Sequence, residues 1–180
     1  MTYRDTDLSL KKDGRELDLI NLRQKIALEG FETGTVDVYG RKWPQKIALG
    51  ESRANDWSSS KMGILQKYHF NLCFENTNFD YYCTEKIWDS IRGRCLPIYY
   101  GKGNKIYQDF PINSFLDYSD FNNPKELFLY INKITVSEFR ERINLCIEAY
   151  NTVYEKLQTY NFKKEMLLKI VNKIETISEN

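Results

Sequence analysis

Residues 68–101 read YHFNLCFENTNFDYYCTEKIWDSIRGRCLPIYYG, and their reading decides the fold. Tyr68 to Phe74 is an aromatic, mostly apolar run of strand length, and Glu75 to Tyr82 is a polar loop. Thr84 is placed to cap a helix on which Ile87, Trp88 and Ile91 recur at helical spacing. Arg92 to Arg94 ends that helix with a glycine, Cys95 to Tyr100 is a second strand of buried type, and Gly101 turns the chain. Strand, helix and strand in this order predict a parallel βαβ unit, whose ligand edge lies where strands end and the helix begins. Glu85 and Lys86 fall on the first helical turn. The free N–H groups there attract anions, and a lysine strengthens that attraction.

Working outward, Leu17, Ile20, Ile26 and Leu28 predict a helix over Glu16 to Gly30, with Gly30 as its C-cap. Thr35 to Tyr39 reads as a short strand closed by Gly40, and Arg41 to Trp57 as a loop. Ser58 to Gln66 reads as a helix capped within Ser58–Ser60. Ser114 to Tyr118 is a further strand, and Asn123-Pro124 opens a helix that runs to about Ile134. Ser137 starts another, with one apolar stripe through Phe139, Ile143, Cys146, Tyr150, Val153 and Leu157. Beyond Tyr160-Asn161 a second stripe joins Leu167, Ile170, Val171, Ile174 and Ile177. This tail either packs on the core or reaches a second domain or chain. Residues 1 to 14 are polar and ambiguous, and Thr2 to Leu10 makes a poor strand. The alternation predicts an α/β fold with a mostly parallel sheet and a helical C-terminal tail.

Composition narrows the function. The chain has 180 residues, 42% hydrophobic and 14% aromatic, which suits one globular domain with a real core. A net charge of +1 gives no reason to expect nucleic acid as a partner. No apolar run reaches membrane-spanning length, and no secretory signal follows Met1, so the expected compartment is the cytoplasm. The exception is a fragment of a longer lumenal Golgi enzyme. Cys73, Cys83, Cys95 and Cys146 have no metal-type spacing, and three of them sit in apolar runs as expected buried thiols. With one histidine, His69, neither a His-rich metal site nor a serine–histidine triad is expected, and His69, in the Tyr68 to Phe74 strand, is expected to face a neighbour rather than a substrate.

The run from Tyr68 to Gly101 resembles the donor-binding motif of the α-1,3-fucosyltransferases, glycosyltransferase family ten. The likeness is carried by Tyr68-His69-Phe70-Asn71-Leu72-Cys73-Phe74-Glu75-Asn76-Thr77, by Tyr82-Cys83-Thr84-Glu85-Lys86-Ile87 and by Pro97-Ile98-Tyr99-Tyr100-Gly101. Val36-Asp37-Val38-Tyr39-Gly40 is similar to a second family segment, with Arg23 fourteen positions before Asp37. Asn113-Ser114-Phe115-Leu116 is similar to a third. The resemblance covers about residues 20 to 135. It implies a Rossmann-like half of a two-domain GT-B fold, with a donor-binding domain over 1–135, truncated at its N-terminus, and C-terminal helices over 136–180.

The resemblance also implies GDP-fucose as donor and inverting transfer to a 3-hydroxyl of an N-acetylglucosamine-type acceptor. The residues it assigns to the donor are Arg23, Asn76, Tyr82, Glu85 and Lys86. Arg23 can fork two phosphate oxygens, and Lys86 offers a mobile point charge to the departing pyrophosphate. Glu75 is read as structural, holding the loop, and Tyr39 and Gly40 as the edge of a guanine pocket. No cofactor is required, and Mn²⁺ stimulation is left open. The general base and the acceptor site belong to an N-terminal domain that this chain does not show, so a partner chain supplying it is one expectation. Two other readings stand beside this one: a nucleotide-sugar-binding or assembly module without turnover, and a transferase for another GDP-sugar.

Overall fold

The centre of the molecule is a βαβ unit of β5 (Phe70–Leu72), α3 (Glu85–Arg92) and β6 (Leu96–Tyr99). The computed structural model describes residues 2–5, 9–51, 57–159 and 161–178. β6 pairs in parallel with β5 on one side and with β7 (Leu116–Asp117) on the other. Every residue of β6 is buried, as a central strand covered on both faces requires. Pro97 costs no ladder bond there, because pairing with β7 begins only at Ile98.

A second parallel pair joins β3 (Val38–Tyr39) to β4 (Ala48–Gly50). Among the described residues the two parallel sheets do not pair with each other. α1 (Ile20–Glu32) precedes β3, α2 (Trp57–Leu65) precedes β5, and α4 (Pro124–Ile131) packs against α1. An antiparallel hairpin of β1 (Lys11–Lys12) and β2 (Arg15–Glu16) precedes α1. Its turn is Asp13-Gly14, both with positive φ, which is the geometry that asparagine, aspartate and glycine supply in two-residue hairpins.

The core runs through Phe74, Ile87, Leu96, Tyr99 and Leu127, none of which exposes any surface. Each such side chain contributes about 1.5–3 kcal/mol relative to an exposed one. α5 (Val136–Thr159) contributes Cys146 and Ala149 to this core and packs on α3 and β6. Arg142 fixes the helix by donating to the Asn113 carbonyl at 3.0 Å and to the Tyr130 hydroxyl at 2.8 Å. The stripe then leaves the core: Tyr154 and Leu157 are exposed, as are Leu167, Ile170, Ile174 and Ile177 on α6 (Phe162–Ser178). Among the described residues no helix is long and apolar enough to cross a membrane. Burial pushes the Cys73 and Cys146 thiols up to about 12, so both are inert packing groups. His69 lies edge-on to Phe139, at 5.9 Å between ring centres.

Several local expectations are corrected. Gly30 is not a C-cap: α1 continues to Glu32, and Thr33 caps it. A β-carbon on Gly30 would stand 2.3 Å from Val36 Cγ2 and 2.8 Å from Phe128, so the glycine lets the helix lie against the following strand segment and α4. Ser58–Ser60 lie within α2, and any cap before Trp57 falls outside the described residues. The segment Arg41 to Trp57 is not all loop, because Ala48–Gly50 pairs with β3. At the end of α3 the left-handed residue is Arg94, with φ 64°, and Gly93 keeps φ −77°. Gly93 is there for closeness, since a β-carbon would meet Leu65 Cβ at 2.5 Å.

Two glycines separate packing from propensity. Gly30→Ala is expected to destabilise the fold by about 1–3 kcal/mol through overpacking. Gly63→Ala, on α2 with nothing within 4 Å of its added carbon, is expected to stabilise by about 0.5–1 kcal/mol. Denaturant unfolding of both variants measures the two signs.

Candidate functional site

The site forms where β5 ends and α3 begins. Glu75 follows the buried Phe74, and its own side chain is only 2% exposed. Its carboxylate accepts from the Thr84 N–H at 2.8 Å, from the Thr84 hydroxyl at 2.9 Å and from Lys86 Nζ at 2.6 Å. Thr84 occupies the N-cap position of α3 but makes no side-chain cap bond. Its hydroxyl serves Glu75 and also accepts from Lys86 at 2.9 Å. A buried carboxylate from the preceding loop therefore stands at the positive end of α3 and fixes Lys86.

Arg23 enters from the first turn of α1 and is buried. It donates from Nη1 to the Phe74 carbonyl at 2.7 Å and from Nη2 to Asn76 Oδ1 at 3.0 Å. Its Nε is buried without a partner among the described residues. Burial lowers the pKa of this guanidinium, and the charges of Glu75 and Asp18 oppose that shift. The loop after β5 is tied to the start of α1 on both sides. Leu19 N–H donates to the Asn76 carbonyl at 3.0 Å, and Asn78 N–H donates to the Leu17 carbonyl at 2.7 Å. Asn76 is thereby held beside Arg23.

Glu85 is exposed on the first turn of α3. Burial raises its pKa, yet its own backbone N–H and Lys86 outweigh burial and leave the carboxyl below its ordinary value. It is therefore an ionised acceptor at neutral pH, suited to hydroxyl groups rather than phosphate.

A cavity of about 440 Å³ opens over these groups, and Arg23, Asn76, Glu85 and Lys86 all line it. Tyr82 does not. It is 41% exposed and borders a separate depression of about 100 Å³ with Tyr81, Cys83 and Asn104. Tyr39 lines the larger cavity, whereas Gly40 is absent from its wall. The structure adds a polar group that the sequence reading missed. Tyr68 donates its hydroxyl to Asp37 at 2.7 Å, and the Tyr39 hydroxyl lies 3.0 Å from that of Tyr68. Burial and the Asp37 carboxylate raise the Tyr68 pKa. Tyr68 stands just ahead of β5, and only the fold brings it to Asp37 and Tyr39, which are about thirty residues away in the chain.

The chain's relatives bear on this geometry. Residues 19–145 match the family described as glycosyltransferase family 10 (fucosyltransferase) C-term. The alpha-(1,3)-fucosyltransferase FucT of Helicobacter pylori is 35% identical over 121 residues, which cover 67% of this chain and 25% of that protein. The human 4-galactosyl-N-acetylglucosaminide 3-alpha-L-fucosyltransferase FUT6 is 32% identical over 101 residues, covering 55% of this chain and 25% of its own length. A solved α1,3-fucosyltransferase structure with GDP-fucose superposes with TM-score 0.55 at 30% identity, covering 68% of this chain and 34% of that one. The chain thus spans about a quarter of the length of these curated relatives. The matched span contains α1, the βαβ unit and Arg23, Asn76, Glu85 and Lys86, and the chain belongs to glycosyltransferase family 10, the fucosyltransferases, through its C-terminal, Rossmann-like GT-B domain.

Proposed function

We propose that this chain binds GDP-fucose and is the donor half of an inverting α-1,3-fucosyltransferase. The observation that carries the reading is the pairing of Arg23 and Lys86 in one cavity at the N-terminus of α3. A similar solved structure holding GDP-fucose supports it.

In this reading the diphosphate lies against Lys86 and the first turn of α3. Negative charge grows on the diphosphate oxygens as the bond to fucose C1 breaks. Lys86 and the helix N–H groups meet that charge more strongly in the transition state than in the ground state. Arg23 adds a second cation and holds Asn76 in place. Glu85 accepts from sugar hydroxyls. Tyr82, exposed on the loop before α3, is the fifth residue assigned to the donor. An acceptor 3-hydroxyl attacks C1 from the face opposite GDP, and a general base takes its proton. Glu75 does not serve as that base, because its carboxylate is committed to Thr84 and Lys86. The base and the acceptor site are assigned to the remainder of the enzyme, in the same chain or a partner. That commitment also favours a second reading, in which this chain alone binds the donor without turnover.

Calorimetric titration with GDP-fucose, GDP-mannose and UDP-galactose tests the reading. Saturable binding selective for GDP-fucose is expected, and no nucleotide binding refutes it. Lys86→Met is expected to weaken GDP binding by about 1.5–3 kcal/mol, as loss of a charged hydrogen bond does.

The same substitution strands the buried Glu75 carboxylate, so it is also expected to lower stability by about 1–3 kcal/mol. The double variant Glu75→Gln/Lys86→Met is expected to recover much of that stability and none of the GDP affinity. Thermal unfolding and calorimetry on the same samples distinguish the two roles of Lys86.

A further inference from the structure

Tyr81 holds a backbone conformation that its side chain opposes. Its φ is 60°, in the left-handed region, where a β-carbon crowds the following carbonyl and bulky residues are rare. Its side chain is 70% exposed, so packing does not offset that strain.

Two loops hold it there. The Tyr81 N–H donates to the Asn104 carbonyl at 3.0 Å. The Tyr82 N–H donates to the Phe79 carbonyl at 3.1 Å, and the Cys83 N–H to the Tyr81 carbonyl at 3.2 Å. Asn104 is itself buried and fixed. Its Nδ2 donates to the Tyr100 carbonyl, and its Oδ1 accepts from the Ile106 N–H, both at 3.0 Å. Asn78 Nδ2 adds a bond to the Lys102 carbonyl at 2.9 Å. The loop after β5 is thus laced to the loop after β6, and Tyr81 is presented on a rigid frame. Strain kept in place by surrounding bonds gathers at sites of function.

The position of these loops says what the site faces. β5 and β6 are parallel, so both loops leave the carboxyl end of the sheet, where open α/β sheets bind ligands. α3, with Glu85 and Lys86 on its first turn, starts from the same loop as Tyr81. The donor cavity takes the part of this edge beside α1. The second depression, of about 100 Å³, shares no lining residue with it and is bordered by Tyr81, Tyr82, Cys83, Lys105, Ile106 and Asp109. It therefore adjoins Tyr82, the exposed residue assigned to the donor, and stands apart from the cations Arg23 and Lys86. Its chemistry suits a sugar. Tyr81 offers an exposed aromatic face to the apolar C–H face of a pyranose. Asp109 and Lys105, both exposed, offer an acceptor and a donor to its hydroxyl groups.

We infer that Tyr81 stacks on one sugar ring of the acceptor glycan, seated in this depression, so that the donor half itself helps to orient the acceptor. The inference rests on the donor reading above, because a second sugar held beside the donor is the acceptor.

The test uses the full chain. N-acetyllactosamine is the probe, its binding followed by saturation-transfer NMR, and GDP binding is followed by calorimetry on the same samples. Saturable glycan binding is expected, and saturating GDP is expected not to displace it. Tyr81→Ala is expected to weaken glycan binding about tenfold, and Tyr81→Phe to hold it within about twofold. Tyr81→Gly is expected to weaken it as alanine does and to raise Tm by about 2–4 °C, because glycine adopts the left-handed backbone without strain. All three variants are expected to keep their GDP affinity. Absence of saturable glycan binding overturns the inference, as does binding that GDP displaces or that Tyr81→Ala and Tyr81→Gly leave intact. A Tm lowered by Tyr81→Gly also overturns it, since Tyr81 is then a packing residue. A chain that binds the glycan through Tyr81 but binds no nucleotide supports the sugar site and refutes the donor reading, so the two failures are told apart.

Discussion

The Glu75 carboxylate is the constraint on which the rest of the site depends. It is nearly without exposure, and burying such a charge is affordable only when its oxygens are fully engaged. Thr84 and Lys86 supply that engagement. The consequence is geometric. The loop from Asn76 to Cys83 must return so that Thr84 meets Glu75, which starts α3 at Glu85 and sets Lys86 on its first turn. Thr84 gives up the ordinary N-cap bond to do this. A helix start is thus fixed by a residue nine positions earlier rather than by its own cap.

The apolar part of α3 responds to the same anchor. Ile87 and Ile91 are held against the sheet, while Glu85 and Lys86, on the preceding turn, line the cavity. On the other side of that cavity, Arg23 depends on a different tie. The hydrogen bonds between Leu17–Leu19 and Asn76–Asn78 bring the start of α1 to the end of β5. Two cations thus converge from two helices because one loop, residues 75–84, is pinned at both of its ends.

The βαβ unit was legible because its periods are unambiguous: a short aromatic run, a helical stripe with a charged first turn, and a second apolar run. Asn123 as a cap was equally clear, and its side chain accepts from Glu126 N–H. Arg23, Asn76, Glu85 and Lys86 were found through their resemblance to a family pattern, and the fold brings all four to one cavity. What escaped was set by tertiary contact. Gly30 looked like a cap, but its role is contact with Val36 and Phe128, which are remote in any local pattern. β4 is three residues with two exposed, too short and too polar to show alternation. The bond of Thr84 to Glu75 cannot be told from a cap by residue type. The uncovered half of the C-terminal stripe reads the same as the covered half, since periodicity says which residues share a face and not what lies against it.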